Sequence, residues 1–499
     1  MSTAVDSLRS APILTPDPRE KRRNIPLRPS LFAHLAKREG EFCIYHSLRI
    51  ITQYFPISLL PWFEKIDHCS INDVKPMVPP ELLNDFLDCM DALCDSALLV
   101  PVDYDETKYL DQVRKDLFKT DHGRIRVMVM HLTGHCNLAC KYCFVDGGKV
   151  PGYDHIVMSP DVARAAIDRF AEALASIPPI ADKEVAQSPA VVFYGGEPLL
   201  NPAVFCETLN YIQELKEHGT LPPDFSKVLI TNGTCITPEL AEVIAKHEVS
   251  VSLSMDGPEH IHDANRIKHN GQGSFQQALR GYRNLRAAGV RPSIACVVTS
   301  DGVGHIEEII RYFVEELGIK AVGMNHVSIL PENGYHYDEQ YEVDFAEAVI
   351  RGQELILQYG DVYERRMSQK LNTFIDRKVV RADCTGCGEQ VAVGPTGQIN
   401  VCQGYVGNPS KHDVGDVRSP NLDLNRSEAV KEWIGRSPLT MDSCRGCISL
   451  AVCGGGCPRN AESLHGSIWS VDTAFCHFSR RSTKWMIWKK RDAMLESHA

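Results

Sequence analysis

Over its middle half the chain alternates two patterns. Short apolar and β-branched runs read as buried strands: "IRVMVMHLT" (125–133), "AVVFYGGEP" (190–198), "KVLITNGT" (227–234), "VSVSLSMDG" (249–257), "SIACVVTS" (293–300) and "AVGMNHVSI" (321–329). Between them stand amphipathic stretches with the helical period, among them "VFCETLNYIQELKEH", "PELAEVIAKH", "FQQALRGYRNLRAAG" and "IEEIIRYFVEELG". This β/α repetition has about six strands, fewer than a full eight-stranded barrel, and predicts an α/β fold built on a partial (β/α)6 barrel over residues 120–345.

The flanks have other patterns. Residues 1–22 are polar and Pro-containing and predict a flexible tail. "EFCIYHSLRIITQYF" alternates as one long or two short strands, "SLLPWFEKID" reads as a short helix, and "PPELLNDFLDCMDALCDSALLVPV" as a longer helix followed by a strand. Leu82, Leu83, Phe86, Leu87, Met90, Leu93 and Cys94 recur there at helical spacing, as a core face does. Residues 23–115 therefore predict a small α+β domain of winged-helix type. Downstream, 346–383 reads as a helical linker, 384–480 as a cysteine-rich domain and 481–499 as a C-terminal helix.

Composition narrows the chemistry. With 499 residues, 43% hydrophobic and 23% charged, the chain can bury a large core. Its formal charge of -11 argues against a nucleic-acid partner. The N-terminal stretch has no apolar signal region and no window reaches eighteen uninterrupted apolar residues, so no membrane association and a cytoplasmic location are expected. In such a reducing compartment eighteen cysteines point to metal rather than disulfides.

Cys43, Cys69, Cys89, Cys94, Cys206, Cys235 and Cys296 lie singly or in apolar runs and read as small buried hydrophobes. The others cluster. "HCNLACKYCF" holds Cys136, Cys140 and Cys143 as C-x3-C-x2-C at the end of the first strand, and no fourth ligand follows closely. Three thiolates leave a coordination position open, unlike a structural zinc site. The triplet, with Tyr142 before its last cysteine, resembles the signature of radical S-adenosylmethionine (SAM) enzymes. The resemblance implies a [4Fe-4S] cluster on the three cysteines, its fourth iron chelating SAM, and reductive cleavage of SAM to a 5'-deoxyadenosyl radical that takes a hydrogen atom from the substrate. It further implies SAM contacts at successive strand ends: Gly195, Gly196, Glu197 and Pro198, with Glu197 accepting from the SAM ammonium; Asn232 in "TNGT"; Ser254 and Asp256 in "SLSMDG"; and Arg266 in "HDANR", paired with the SAM carboxylate.

From Cys387 the chain reads C-x9-G-x4-C to Cys402, then C-x2-C-x5-C-x3-C at Cys444, Cys447, Cys453 and Cys457, then Cys476. This resembles the SPASM extension of radical SAM enzymes, which carries two auxiliary [4Fe-4S] clusters and brings the total to three. The resemblance implies that Cys384, Cys387, Cys402 and Cys457 hold one and Cys444, Cys447, Cys453 and Cys476 the other, although Cys384 stands nearer Cys387 than in many relatives. Two C-x2-C steps alone would also fit a pair of zinc ribbons. Gly-rich "CGGGCPRNA" suits a loop whose amides approach cluster sulfurs.

The resemblance then implies a peptide maturase. It would oxidise a residue of a ribosomally made peptide or protein, forming a thioether or carbon-carbon crosslink, with the N-terminal domain binding a leader segment at a sheet edge and a flavodoxin or ferredoxin supplying electrons. The alternatives are formylglycine formation from Ser or Cys, as in sulfatase maturation, and a non-catalytic iron-sulfur protein. In formylglycine-forming relatives an aspartate base follows the cysteine corresponding to Cys402; here Gln403 stands there, and an amide has no useful basicity. Glu389, His412, Asp413 and Asp416 are nearby replacements.

Overall fold

A computed structural model, describing residues 19–119, 123–144, 153–177, 188–328, 339–408 and 412–497, places the strands on the apolar runs. In the N-terminal region β1 (Leu27–Pro29), β2 (Ala33–Arg38), β3 (Glu41–His46), β4 (Ile51–Pro56) and β5 (Leu99–Pro101) form two small sheets, an antiparallel β2-β3-β4 meander and a β1-β5 pair. The alternating run becomes two strands that turn at Ile50, which has a φ of 56°. β2 has no apolar alternation, and its pairing with β3 along its whole length defines it. The helix Leu83–Asp95 buries Phe86, Cys89, Met90 and Leu93 beneath these sheets.

Most of the expected tail, residues 1–18, lies outside the described residues. Its end is already structured: Arg19–Arg22 form a helical turn, and Arg22 and Arg23 reach the buried Asp91 at 3.2 and 2.6 Å.

The six expected strands are β6 (Val127–His131), β7 (Ala190–Tyr194), β8 (Ser226–Thr231), β9 (Ser250–Ser254), β10 (Ser293–Val297) and β11 (Ala321–Asn325), neighbours in chain order and all parallel. Two additions lengthen the sheet to ten strands. The region expected as a helical linker contributes β12 (Tyr363–Glu364), too short to show a period, which pairs with β11 and is locked by its buried Glu364 accepting from Met324 N at 3.0 Å. On the other side β13 (Gln390–Val393) pairs in parallel with β6, followed by antiparallel β14 (Gln398–Asn400) and β15 (Asp413–Asp416). The cysteine-rich region is thus grafted onto the same sheet.

Strand side chains alternate faces, and the burial follows. Phe193, Leu229, Leu253, Ile294, Cys296, Val322 and Met324 are buried on one face. The alternate residues of β7 to β11 are only half-buried, and Ser254, Ala295 and Gly323 stand in one row of that second face. Small side chains in register leave that face open.

The last helix, Thr473–Glu496, begins before the expected 481, so Cys476 rides on it. It packs on the helix Glu339–Tyr359, with Trp485 Nε1 donating to Glu354 at 3.0 Å, and ties in the N-terminal domain through Tyr54 OH donating to Ile487 O at 2.6 Å. Among the described residues no helix is long and apolar enough to cross a membrane.

Candidate active site

Cys136, Cys140 and Cys143 lie on the loop beyond β6, and the ends of the neighbouring strands clamp that loop. From the β7 side, Gly196 N donates to Thr133 O at 3.0 Å and Glu197 N to His135 O at 2.9 Å. Any Cβ at Gly195 would stand 2.4 Å from Thr133 O, and one at Gly196 2.1 Å from His135 O, so this approach requires the two glycines. On the opposite side, Ala139 N donates to Ile267 O at 2.7 Å and Lys141 N to Asn265 O at 3.0 Å. The Cys136 thiol is raised by burial and senses Cys140 and Cys143 among its neighbours.

Asn232 carries this frame to β8. Its amide donates to Asn137 Oδ1 at 3.0 Å and approaches Cys136 Sγ at 4.0 Å, while Asn137 Nδ2 donates to Thr234 Oγ1 at 2.8 Å. Glu197 is buried, and its carboxylate accepts from Thr231 Oγ1 (2.7 Å), Asn232 N (2.8 Å) and Leu199 N (3.1 Å). Burial pushes its carboxyl up to about 7 against the opposing pull of these three donors.

Arg266 is paired within the protein. Its Nε and Nη2 both fork onto Asp256 at 3.0 Å, and Asp256 also accepts from Tyr142 OH at 2.5 Å and Val297 N at 3.0 Å. A carboxylate buried at 1% exposure needs a charge partner, and the guanidinium supplies it. Asp256 and Arg266 therefore hold Tyr142, the residue before Cys143, with the Arg266 guanidinium 5.4 Å from its ring centre. Ser254 remains on the half-buried face, its backbone paired with Ala295.

The eight late cysteines separate into two groups by which thiols sense one another. Cys384 hydrogen-bonds Cys387; Cys402 and Cys457 each feel Cys384, and Cys387 feels Cys457. Cys444 feels Cys453 and Cys447, while Cys476 feels Cys453 and Cys444. One local device recurs. The amide two residues beyond a cysteine points at its sulfur: Leu138 on Cys136 at 3.5 Å, then Gly404 on Cys402, Ser449 on Cys447 and Gly455 on Cys453, each at 3.4 Å. Such donors favour the thiolate form.

Cations accompany both groups. Buried Lys370 donates to Cys453 O at 3.3 Å, Arg381 to Cys387 O at 2.6 Å, and Arg480 stands against Cys447. Arg459 joins the early and late loops, its guanidinium 5.6 Å from the Phe144 ring and 5.8 Å from that of Tyr405. Gln403 is locked in an amide chain, accepting from Gln390 Nε2 at 2.8 Å while Gln390 Oε1 accepts from Thr385 Oγ1 at 2.8 Å.

Some participants were not singled out from the sequence. Asn137 sits inside the first cysteine motif, where its position was a usable signal. His269, whose Nε2 meets Cys136 O at 2.9 Å, and Arg459 gave none. Three of the isolated cysteines, Cys69, Cys206 and Cys235, are half-buried rather than core, and Cys235 receives Asn137 Nδ2 at 3.7 Å beside the loop.

Comparison with known proteins agrees with this geometry. Residues 130–317 match the radical SAM superfamily model. A cysteine-type anaerobic sulfatase-maturating enzyme of Clostridium perfringens is 26% identical over 361 residues, covering 69% of this chain and 91% of the relative. A solved structure of native anSMEcpe with bound AdoMet and Cp18Cys peptide superposes with a TM-score of 0.60 at 22% identity, covering 75% of this chain and 99% of that one. Streptococcus suis SuiB bound to precursor peptide SuiA gives a TM-score of 0.52 at 14% identity over 90% of this chain and 99% of the other. The loop bearing Cys136, Cys140 and Cys143 lies in a radical SAM domain, which this chain contains over residues 130–317.

Proposed function

We propose that the chain oxidises a residue of a peptide or protein substrate, using three [4Fe-4S] clusters and SAM. The observation that carries this reading is that Cys387 and Cys402 of one late thiol group flank β13 and β14 of the sheet that presents the Cys136 loop, and that Arg459 links this group to that loop. The bound cluster and SAM supply a carbon radical able to remove a hydrogen atom, and the domain's own work is to hold donors for them. Cys136, Cys140 and Cys143 would hold the SAM-binding cluster; Cys384, Cys387, Cys402 and Cys457 a second; and Cys444, Cys447, Cys453 and Cys476 a third.

The donor sets fit clusters better than zinc. Tetrahedral zinc with bonds of about 2.3 Å draws thiolates to within about 4 Å of each other. Among the described residues no three of these sulfurs fall within 4.8 Å of one another. The amides aimed at four of the sulfurs are a further support, since hydrogen bonds to sulfur tune cluster potential.

Glu197 is the proposed acceptor for the SAM ammonium, and Arg266 and Asp256 act on the SAM site through Tyr142. The pH dependence follows from Glu197. Its carboxyl titrates near 7, above the ordinary carboxylate range, so below that pH it becomes neutral and loses its attraction for the ammonium. SAM affinity measured by equilibrium dialysis therefore falls as pH drops from 8 to 6, by up to about tenfold per unit. Glu197→Gln removes the dependence. A flat profile in the wild type contradicts this role.

The substrate class is supported by the peptides in the similar structures and by the N-terminal meander. There β2 is an edge strand carrying half-exposed Leu35, suited to adding a peptide strand. Crosslinking and formylglycine formation are the two finer readings. The sulfatase-maturating relatives favour the second at least as strongly as the SuiB likeness favours the first. Gln403 is the specific observation that favours crosslinking, because the position lacks a carboxylate base and its amide is engaged by Gln390. The deciding experiment incubates the reconstituted enzyme, SAM and reductant with a Cys- or Ser-type sulfatase peptide. The expected result is no hydrazine-reactive aldehyde in the product mass spectrum; an aldehyde would make the chain a sulfatase-maturase.

A further inference from the structure

Arg436 is a guanidinium without solvent or an acid fork. It is 0% exposed, and its donors all go to backbone carbonyls: Ile468, Gly455 at 2.8 Å and Ser470 at 3.2 Å. Asp472, a buried acid on which the Arg436 charge acts, directs its own oxygens to Cys457 N at 2.9 Å and Phe475 N at 3.4 Å. Carbonyl dipoles solvate a cation but do not neutralise it, so a buried arginine in this state calls for an anion close by.

The position of Arg436 identifies that anion. Gly455, whose carbonyl it binds, donates its own amide to Cys453 Sγ at 3.4 Å, and Cys457 follows two residues later. Cys453 belongs to one late thiol group and Cys457 to the other. The three glycines between them, Gly454, Gly455 and Gly456, all have positive φ (74°, 88° and 66°), and a Cβ at Gly455 would stand 3.1 Å from Arg436 Nη1. The backbone is thus shaped to bring this one guanidinium to the junction of the groups. Its charge acts on Cys387 of the first and Cys444 of the second, whereas Lys370 and Arg480 act on thiols of the second and Arg381 and Arg459 on thiols of the first.

We propose that Arg436 is the shared counter-cation of the two auxiliary clusters, a positioning residue that raises the reduction potential of both. The inference rests on the three-cluster reading above. Each one-electron reduction adds a negative charge to a cluster, and a fixed cation in a low-dielectric interior favours the more negative form. One guanidinium between two clusters also biases both alike, keeping their potentials close enough for an electron to pass between them.

The test is an EPR-monitored redox titration of the full-length, anaerobically reconstituted protein, with iron measured on the same samples. Arg436→Gln is expected to lower both auxiliary potentials by at least tenfold in the one-electron equilibrium, about 59 mV, and to leave the cluster at Cys136, Cys140 and Cys143 unmoved. Arg436→Lys restores both potentials toward the native values. Unchanged potentials in Arg436→Gln, or a shift confined to one auxiliary cluster, overturn the proposal. Should Arg436→Gln fail to retain iron, Arg436→Lys must retain it at near-native potentials, and failure there overturns the proposal as well. A wild-type protein with about four irons per chain refutes the three-cluster reading itself, independently of either variant.

Discussion

Replacing Cys136, Cys140 and Cys143 together by alanine abolishes 5'-deoxyadenosine formation while leaving two thirds of the iron in place. The three thiols share one loop, and Cys140 and Cys143 of that loop are the thiols that act most strongly on Cys136. The loop's backbone frame, from Gly196 and Glu197 on one side and Asn265 and Ile267 on the other, does not depend on the cysteine side chains. Iron after anaerobic reconstitution is thus expected to drop from about 12 to about 8 per chain, with the fold intact by circular dichroism. Loss of all iron would mean that the late cysteines do not bind clusters on their own. Residual deoxyadenosine would place the SAM-cleaving centre elsewhere.

The second large effect is on stability. Asp256→Ala removes the acceptor of four hydrogen bonds and leaves Arg266 buried without its partner, with Tyr142 OH and Val297 N unpaired. Breaking a buried pair on one side costs about 3–5 kcal/mol. The expected result is a shift of that size in the denaturant-induced unfolding of the sheet, together with weaker SAM cleavage because Tyr142 no longer fixes the approach to Cys143. Asp256→Asn, which retains acceptor capacity without the charge, falls between. A change of less than about 1 kcal/mol in Asp256→Ala would show that the Arg266 fork contributes little to the fold.

The β/α core and the grouping of the cysteines were legible because their signals are local. β-Branched runs ending at Gly, Asn or Asp mark strands and the loops beyond them, and thiol spacing is a short-range geometric constraint. The unread parts depend on long-range pairing. β12 has two residues and becomes a strand only because β11 offers an edge. Pairing of β13 with β6 joins segments more than 250 residues apart, so nothing near Gln390 announces it. The fork of Arg266 on Asp256 depends on a burial that the motif "SMDG" does not display. Arg436 in "WIGRSPL" looks like a surface arginine ending a helix; only the fold shows it between the two thiol groups.

The central claim is tested most directly by the iron, sulfide and zinc content of the wild-type full chain, purified and reconstituted without oxygen. The account predicts about 12 iron and about 12 acid-labile sulfide per chain and no stoichiometric zinc. About four iron with zinc at the late cysteines would contradict it.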